Sequence, residues 1–323
     1  MGFGDIEAQD TAVQTLVRAL ESEHVHHAYR FQGPPGVGKE MAAFAFAQSL
    51  VCEHDGPLAC GECSACRRAV GLSGEEPHVP LHPDVVLVQR GLYPSSVIAA
   101  SEATGISVEQ VRRMVLGRAG YGPHEERALV FIVRDADELT PQAANALLKT
   151  LEEPGDRTYF VLLTSRPSRL LDTVLSRTLA VRFGPLPDEL VARIVTEHAG
   201  DPSVVPLAQG SASLALELSA EDAMRARREF VDSAIEALDA PDLASAIGLA
   251  DARASGRDAL RDQLSFLAHE FATRGRQSVE VAPDAAERAA RCYKVVLDTM
   301  AEVERNVQPA LALEAMVSRL RRA

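Results

Sequence analysis

Apolar residues recur along this chain at two periods, and the change between them divides it. Near the N-terminus Val13, Leu16, Val17 and Leu20 recur at helical spacing, which predicts a helix over 10–21. Short apolar runs at 28–32, 85–88, 129–133, 160–164 and 179–183 predict buried strands. Helical stretches fall between them at 41–51, at 140–151, and from Ser107 onward with Val108, Val111, Val115 and Leu116 on one face. Strands alternating with helices predict an α/β fold, a parallel sheet with helices on both faces.

After Gly184-Pro185-Leu186-Pro187 the strand pattern stops. A helix is expected over 188–199, with two short ones before 219. Ser219 with Asp222 has the spacing of a capping box. Three apolar stripes follow: Val231, Ala234, Ile235 and Leu238; then Leu260, Leu264, Leu267 and Phe271; then Tyr293, Val296, Leu297 and Met300. The expected organisation is an α/β domain over 1–184, a small helical lid over 185–218 and a C-terminal all-α bundle over 219–323. No internal repeat or low-complexity tract interrupts it.

Composition narrows the function classes. Apolar residues make up 46% of the 323, enough for a large core. No apolar run approaches the ~18 residues of a membrane span. The opening MGFGDIEAQD is acidic and lacks the layout of a secretion signal, so a cytoplasmic location is expected. A net charge of −13 argues against an autonomous DNA binder, which needs clustered Lys and Arg. The absence of Trp and an aromatic content of 5% argue against base-stacking platforms.

Gly33-Pro34-Pro35-Gly36-Val37-Gly38-Lys39 sits between a predicted strand and a predicted helix, the context of a phosphate-binding loop. Its glycines let backbone N–H groups wrap an anion, the helix N-terminus adds positive potential, and Lys39 reaches the phosphates. The next residue should be Ser or Thr, whose hydroxyl ligates Mg²⁺, but it is Glu40. Either this carboxylate ligates the ion instead, or it is a first-turn helix residue in a site no longer used for hydrolysis. The tip of the 129–133 strand should carry Asp-Glu, one to hold Mg²⁺ and one to polarise water. It carries Arg134-Asp135, and in either alignment one essential carboxylate is missing.

Four of the five cysteines, Cys52, Cys60, Cys63 and Cys66, fall within one short loop over 52–66. In a cytosolic protein such clustering points to metal rather than disulfides. Four thiolates suit a structural Zn²⁺ and leave no open position for catalysis. An iron–sulfur cluster is the competitor, though its usual spacing is missing. His24, His26, His27, His54, His78 and His82 read as structural or surface residues, and Cys292 as core.

From Ala128 the chain reads ALVFIVRDADELTPQAANALLKTLEEPGDRTYFVLLTSRPSRLLDTVLSRT. This, with HHAYRFQGPPGVGK around the loop, resembles the AAA+ clamp-loader subunits of bacterial DNA polymerase III. The segments Asn145–Pro154 and Leu175-Ser176-Arg177 carry most of the likeness, which covers roughly the first 215 residues. The resemblance implies a P-loop AAA+ domain, a helical lid and a C-terminal oligomerisation collar. It implies hetero-oligomeric partners, namely gamma/tau motor and delta subunits, with the sliding clamp and primed DNA reached through the complex. It also implies a zinc module at the cysteines.

Two subunit types fit, an ATP-hydrolysing gamma/tau motor and a non-hydrolysing delta-prime type. Glu40 and Arg134-Asp135, with Ser213 where the motor's lid carries an Arg after Gly210-Ser211, favour the second. ATP and Mg²⁺ are then not turned over by this chain; polymerase and ATPase reactions belong to the assembly. The same likeness marks Arg177 as an arginine finger, supplied in trans to a neighbour's ATP, and Thr164 as a γ-phosphate contact. The family's Ser-Arg-Cys reads here Ser176-Arg177-Thr178. The alternatives are a divergent motor using Glu40 and Asp135 with Mg²⁺, and a zinc-dependent DNA-binding module, which the charge disfavours.

Overall fold

The computed structural model describes residues 2–94, 96–98, 105–239, 257–304 and 307–322. They form two compact units, Met1–Pro187 with Gly210–Ser213, and Asp188–Gln209 with Leu214–Ala323.

Among the described residues the first unit holds one parallel sheet. Its strands are β1 (Ala28–Gln32), β2 (Val85–Val88), β3 (Leu129–Val133), β4 (Thr158–Thr164) and β5 (Leu179–Arg182), in the order β2-β3-β4-β1-β5. Every position of β2 and β3 is buried. That is why both read as unbroken apolar runs: helices cover both faces of such a sheet. Edge strand β5 buries only Val181 and leaves Leu179 exposed.

The helices of this unit follow from local chemistry. α1 (Asp10–Glu21) buries Ala12, Leu16 and Leu20. α2 (Lys39–Val51) buries nearly every residue, including Phe44 and Phe46, so it runs through the core. α3 (Ser64–Val70) follows the cysteine loop. The helix expected from Ser107 is α4 (Val108–Val111), capped by the Ser107 hydroxyl, then a π-helical turn over Arg112–Leu116, then α5 (Gly117–Ala119). The wider turn moves the buried face to Val111, Val115 and Ala119, and Leu116 is only half-buried. α6 (Pro141–Glu152) has Thr140 as its N-cap and Pro at N1, and it buries Ala143, Ala144, Leu147 and Leu151. α7 (Asp172–Leu175) precedes β5.

The second unit is helical: α8 (Asp188–Glu197), α9 (Val205–Ala208), α10 (Ala212–Ser219), α11 (Glu221–Asp239), α12 (Arg257–Ser278), α13 (Pro283–Glu304) and α14 (Pro309–Leu320). Its core joins Phe230, Val231 and Ala234 to Leu260, Leu264, Leu267 and Phe271, then to Val296, Met316 and Leu320. Cys292 belongs to this core, as expected.

Two expectations are corrected here. Ser219 does not cap α11; it ends α10, and its hydroxyl donates to Leu216 O at 2.9 Å. The side chain of Asp222 lies outside the described residues, as does that of Leu238. The third stripe is also displaced: α13 buries Cys292, Val296, Thr299 and Val303, while Tyr293 and Leu297 are exposed. A stripe one residue to the side satisfies the same helical spacing, and only the packing partner decides between them. Among the described residues no helix is long and apolar enough to cross a membrane.

Phe131 and Phe160 stack across β3 and β4 with centroids 5.1 Å apart, both fully buried. Phe160→Ala is expected to lower the unfolding free energy of the sheet unit by about 3–5 kcal/mol. Tyr121→Ala, at an 89% exposed position, should change it by no more than about 0.5 kcal/mol. Urea unfolding followed by circular dichroism measures both.

Candidate nucleotide site and cysteine centre

The loop after β1 is shaped by close backbone approaches. Gly33 N donates to Thr164 O at 3.2 Å, and a Cβ on Gly33 would lie 2.3 Å from Phe183 O. Gly36 has φ +66, and a Cβ there would meet Ser213 Oγ at 2.2 Å. Its carbonyl accepts from Ala212 N at 3.1 Å. Gly38, at φ +96, caps the start of α2. A glycine loop running into a helix N-terminus is the backbone arrangement of phosphate-binding sites.

Lys39 is buried and turned onto its own loop. Its Nζ donates to Gly33 O at 2.7 Å and to Pro34 O, with Ser165 Oγ at 3.4 Å. Burial pulls its pKa down to about 8, against the pull of Asp135 and Asp137.

The tip of β3 meets the first turn of α2. Arg134 forms an ion pair with Glu40, and its Nη1 donates to Gln89 Oε1 at 2.7 Å. Its Nε is buried with no partner among the described residues. Asp135 is held in the left-handed region at φ 46, which Asp tolerates better than most residues. Burial raises its pKa, and the nearby charges of Glu138 and Asp137 raise it further.

The Asp137 side chain is 4% exposed and bonds to the last residue of β4 and the two residues after it. It accepts from Thr164 Oγ1 at 2.6 Å and Ser165 N at 3.3 Å, and pairs with Arg166 Nε at 3.3 Å. In P-loop NTPases the residue after the loop Lys and the carboxylate on the strand tip hold Mg²⁺. Here those positions carry Glu40 and Arg134, which ligate each other, and a guanidinium repels a divalent cation. This residue set does not fit Mg²⁺.

The structure therefore brings together Gly33, Gly36, Gly38, Lys39, Glu40, Arg134, Asp135 and Thr164. Sequence reasoning missed Gln89, Asp137 and Ser165. Asp137 lies two residues beyond the strand-tip pair in a run of acidic residues, which was the available signal. Gln89 had none, because its place depends on β2 lying beside β3.

Arg177 stands apart from these residues, after α7. Its Nη1 donates to Thr173 O at 2.9 Å and Ser176 Oγ at 3.2 Å, and Nη2 pairs with Glu152 on α6. Its side chain is 33% exposed. Thr178 is buried where the resemblance expects Cys. Its hydroxyl donates to Val174 O at 2.9 Å and accepts from Arg30 Nη1 at 2.8 Å.

The cysteine centre is built on two helix ends. Cys52 terminates α2, and Cys63 caps α3, its sulfur accepting from Cys66 N at 3.3 Å. The Sγ atoms of Cys52, Cys60, Cys63 and Cys66 all lie within 4.8 Å of one another, and none is in a disulfide. Tetrahedral zinc with Zn–S bonds of about 2.3 Å needs sulfurs about 3.8 Å apart. Cys60 and Cys66 stand at 3.9 Å, so the donor set fits.

The backbone N–H groups of Cys63 and Glu62 hold the Cys60 thiol down at about 7, while burial pushes that of Cys66 up. His54, read as structural or surface, has Nδ1 3.3 Å from Cys60 Sγ. Arg68 ties the module to the sheet unit by a bidentate bond to Glu125 at 2.6 and 2.8 Å, and Arg127 donates to Glu53 O at 2.6 Å.

Comparison with known proteins places this architecture. The family described as DNA polymerase III, delta subunit, matches residues 8–187. The chain belongs to that family. A Bacillus subtilis (strain 168) relative named DNA polymerase III subunit delta' is 32% identical over 72% of this chain and 65% of its own length. A Mycobacterium tuberculosis (strain H37Rv) relative named DNA polymerase III subunit gamma/tau is 30% identical over 98% of this chain and 60% of its own. This family member thus spans less than two thirds of either relative. A solved structure of a gamma subunit-related protein from Thermotoga maritima covers 97% of this chain and 99% of its own at 18% identity, with a TM-score of 0.49. That likeness is too distant to carry weight.

Asp137 is the best-satisfied carboxylate of the strand tip, and Asp137→Ala strands Thr164 Oγ1 and Ser165 N. The expected loss is about 2 kcal/mol of unfolding free energy, read by urea titration.

Proposed function

We propose that this chain is a non-hydrolysing, delta-prime-type subunit of a DNA polymerase III clamp loader, acting beside gamma/tau and delta subunits in the cytoplasm. The assembly opens a sliding clamp and places it on primed DNA; this chain serves as scaffold and lends Arg177 to a neighbour's ATP. The observation that carries the reading is the ion pair between Glu40, after the loop lysine, and Arg134, at the tip of β3, the two positions that hold Mg²⁺ in P-loop NTPases. In this reading 1–184 is the AAA+ domain, 185–218 the lid and 219–323 the collar through which the subunits assemble.

Arg177 is suited to the task. An arginine supplied in trans stabilises charge developing on the γ-phosphate. Its intramolecular partner Glu152 is about half exposed, and ion pairs of that kind contribute about 0–1 kcal/mol. Exchanging Glu152 for a phosphate therefore costs little. Thr173 O and Ser176 Oγ keep the guanidinium directed in either state.

The motor reading is favoured by the gamma/tau relative, which matches 98% of the chain. ATP turnover separates the two. The isolated chain should hydrolyse ATP no faster than its Lys39→Ala variant; Mg²⁺-dependent turnover that needs Lys39 would favour a motor. In the assembly, Arg177→Ala should join normally yet lower clamp- and DNA-stimulated hydrolysis. The drop should fall short of the ~10³-fold or more that a trans arginine contributes at a single site. Arg177→Lys should not restore activity, because an ammonium lacks the planar fork. Undiminished clamp loading by the Arg177→Ala assembly would leave the subunit a scaffold alone.

The cysteine centre is proposed to hold one structural Zn²⁺ through Cys52, Cys60, Cys63 and Cys66, contributing folding energy to the insertion. Elemental analysis should find one zinc per chain. Cys63→Ser should lose the metal while the helical unit keeps its circular dichroism. Iron absorption, or absence of zinc from protein purified without chelators, contradicts the assignment.

A further inference from the structure

Glu40 and Arg134 look, one at a time, like two lost ligands. They lie 94 residues apart in sequence and meet as one ion pair, with Gln89 on the second arm of the guanidinium. Arg134 is 21% exposed, so its charge is mostly withdrawn from water. Either residue alone would leave an unmatched charge beside the phosphate loop. Removing one partner of such a pair costs more than removing both.

Around the pair the cradle keeps its parts. Gly36 and Gly38 hold the turn, and the N-terminus of α2 points into it. Lys39 is present but occupied by Gly33 O and Pro34 O, which a phosphate would displace. Asp137 is committed to Thr164, Ser165 and Arg166 rather than to the pair.

Building on the reading that this chain does not turn over ATP, we propose that the Glu40–Arg134 pair is a single replacement for the magnesium ion. It is a lock that closes a latent site for a nucleoside di- or triphosphate carrying a divalent cation. The guanidinium supplies the positive charge that the ion would bring, and the carboxylate fixes it in place. Returning both positions together to ligand chemistry reopens the site; returning one alone leaves a stranded charge.

The test uses the full chain as wild type, Glu40→Thr, Arg134→Asp and the two combined. Each is titrated with N-methylanthraniloyl-ADP in magnesium chloride or in EDTA, and fluorescence reports binding. Only the double variant should bind, with loss of binding in EDTA and again when Lys39→Ala is added. A double variant with wild-type circular dichroism that does not bind overturns the proposal, and so does a single variant that binds as tightly.

A second measurement needs no nucleotide and decides the matter should the first variants misfold. Melting midpoints are compared for Glu40→Gln, Arg134→Gln and both. The double should fall by less than the sum of the two single drops, whereas additive drops overturn the lock. Lys39-dependent ATP turnover by the wild type is a separate result. It removes the non-hydrolysing reading itself.

Discussion

β1 is paired on both sides, with β4 from Ala28↔Phe160 to Gln32↔Thr164 and with β5 from Tyr29↔Leu179 to Gln32↔Arg182. This double parallel pairing puts the ends of the strands in line. The groups of the candidate site are then delivered by residues just past those ends: the glycine loop after β1, Gln89 after β2, Arg134 to Asp137 after β3 and Ser165 after β4. A slip of one residue between β1 and β4 would separate Gly33 N from Thr164 O, and one between β2 and β3 would separate Arg134 N from Val88 O. The loop's shape is therefore a consequence of sheet register as much as of its own glycines.

What the sequence disclosed follows from how local each feature is. β3 is legible because all five of its residues are buried, which leaves no polar interruption. The phosphate loop and the cysteine cluster are legible because their defining residues are close together in the sequence. Glu40, Arg134 and Ser213 were also visible, but as separate departures from a pattern. That the first two compensate each other depends on strand order, which no residue encodes by itself. The helical half was legible as helices and less so as faces. Tyr293 and Leu297 fit the apolar spacing of α13 as well as Cys292 and Val296 do, and only the neighbouring helices choose between them. Ser219 misled because a serine near a helix boundary serves the end of one helix as readily as the start of the next.

The charges of the strand tip are matched one by one. Asp137 is met by Arg166 and two hydrogen-bond donors; Arg134 is met by Glu40 and Gln89. Asp135 and Lys39 pull on one another across the site. Glu40 is 44% exposed and Arg134 21%, so solvent reaches the carboxylate end of the pair more than the guanidinium end. The pair joins the first turn of α2 to the tip of β3.

α2 begins at Lys39 in the phosphate loop and ends at Val51, with Cys52 of the thiolate cluster as its C-cap. Its 13 residues make a rod about 20 Å long, packed into the core along almost its whole length. The two centres of the sheet unit are thus opposite ends of one rigid element. A ligand that shifts this rod along its axis at one end does work at the other, and thermodynamics makes the exchange symmetric. Were a metal at the sulfurs to alter the affinity of the loop for an anion, the anion would alter the affinity of the sulfurs for the metal by the same free energy.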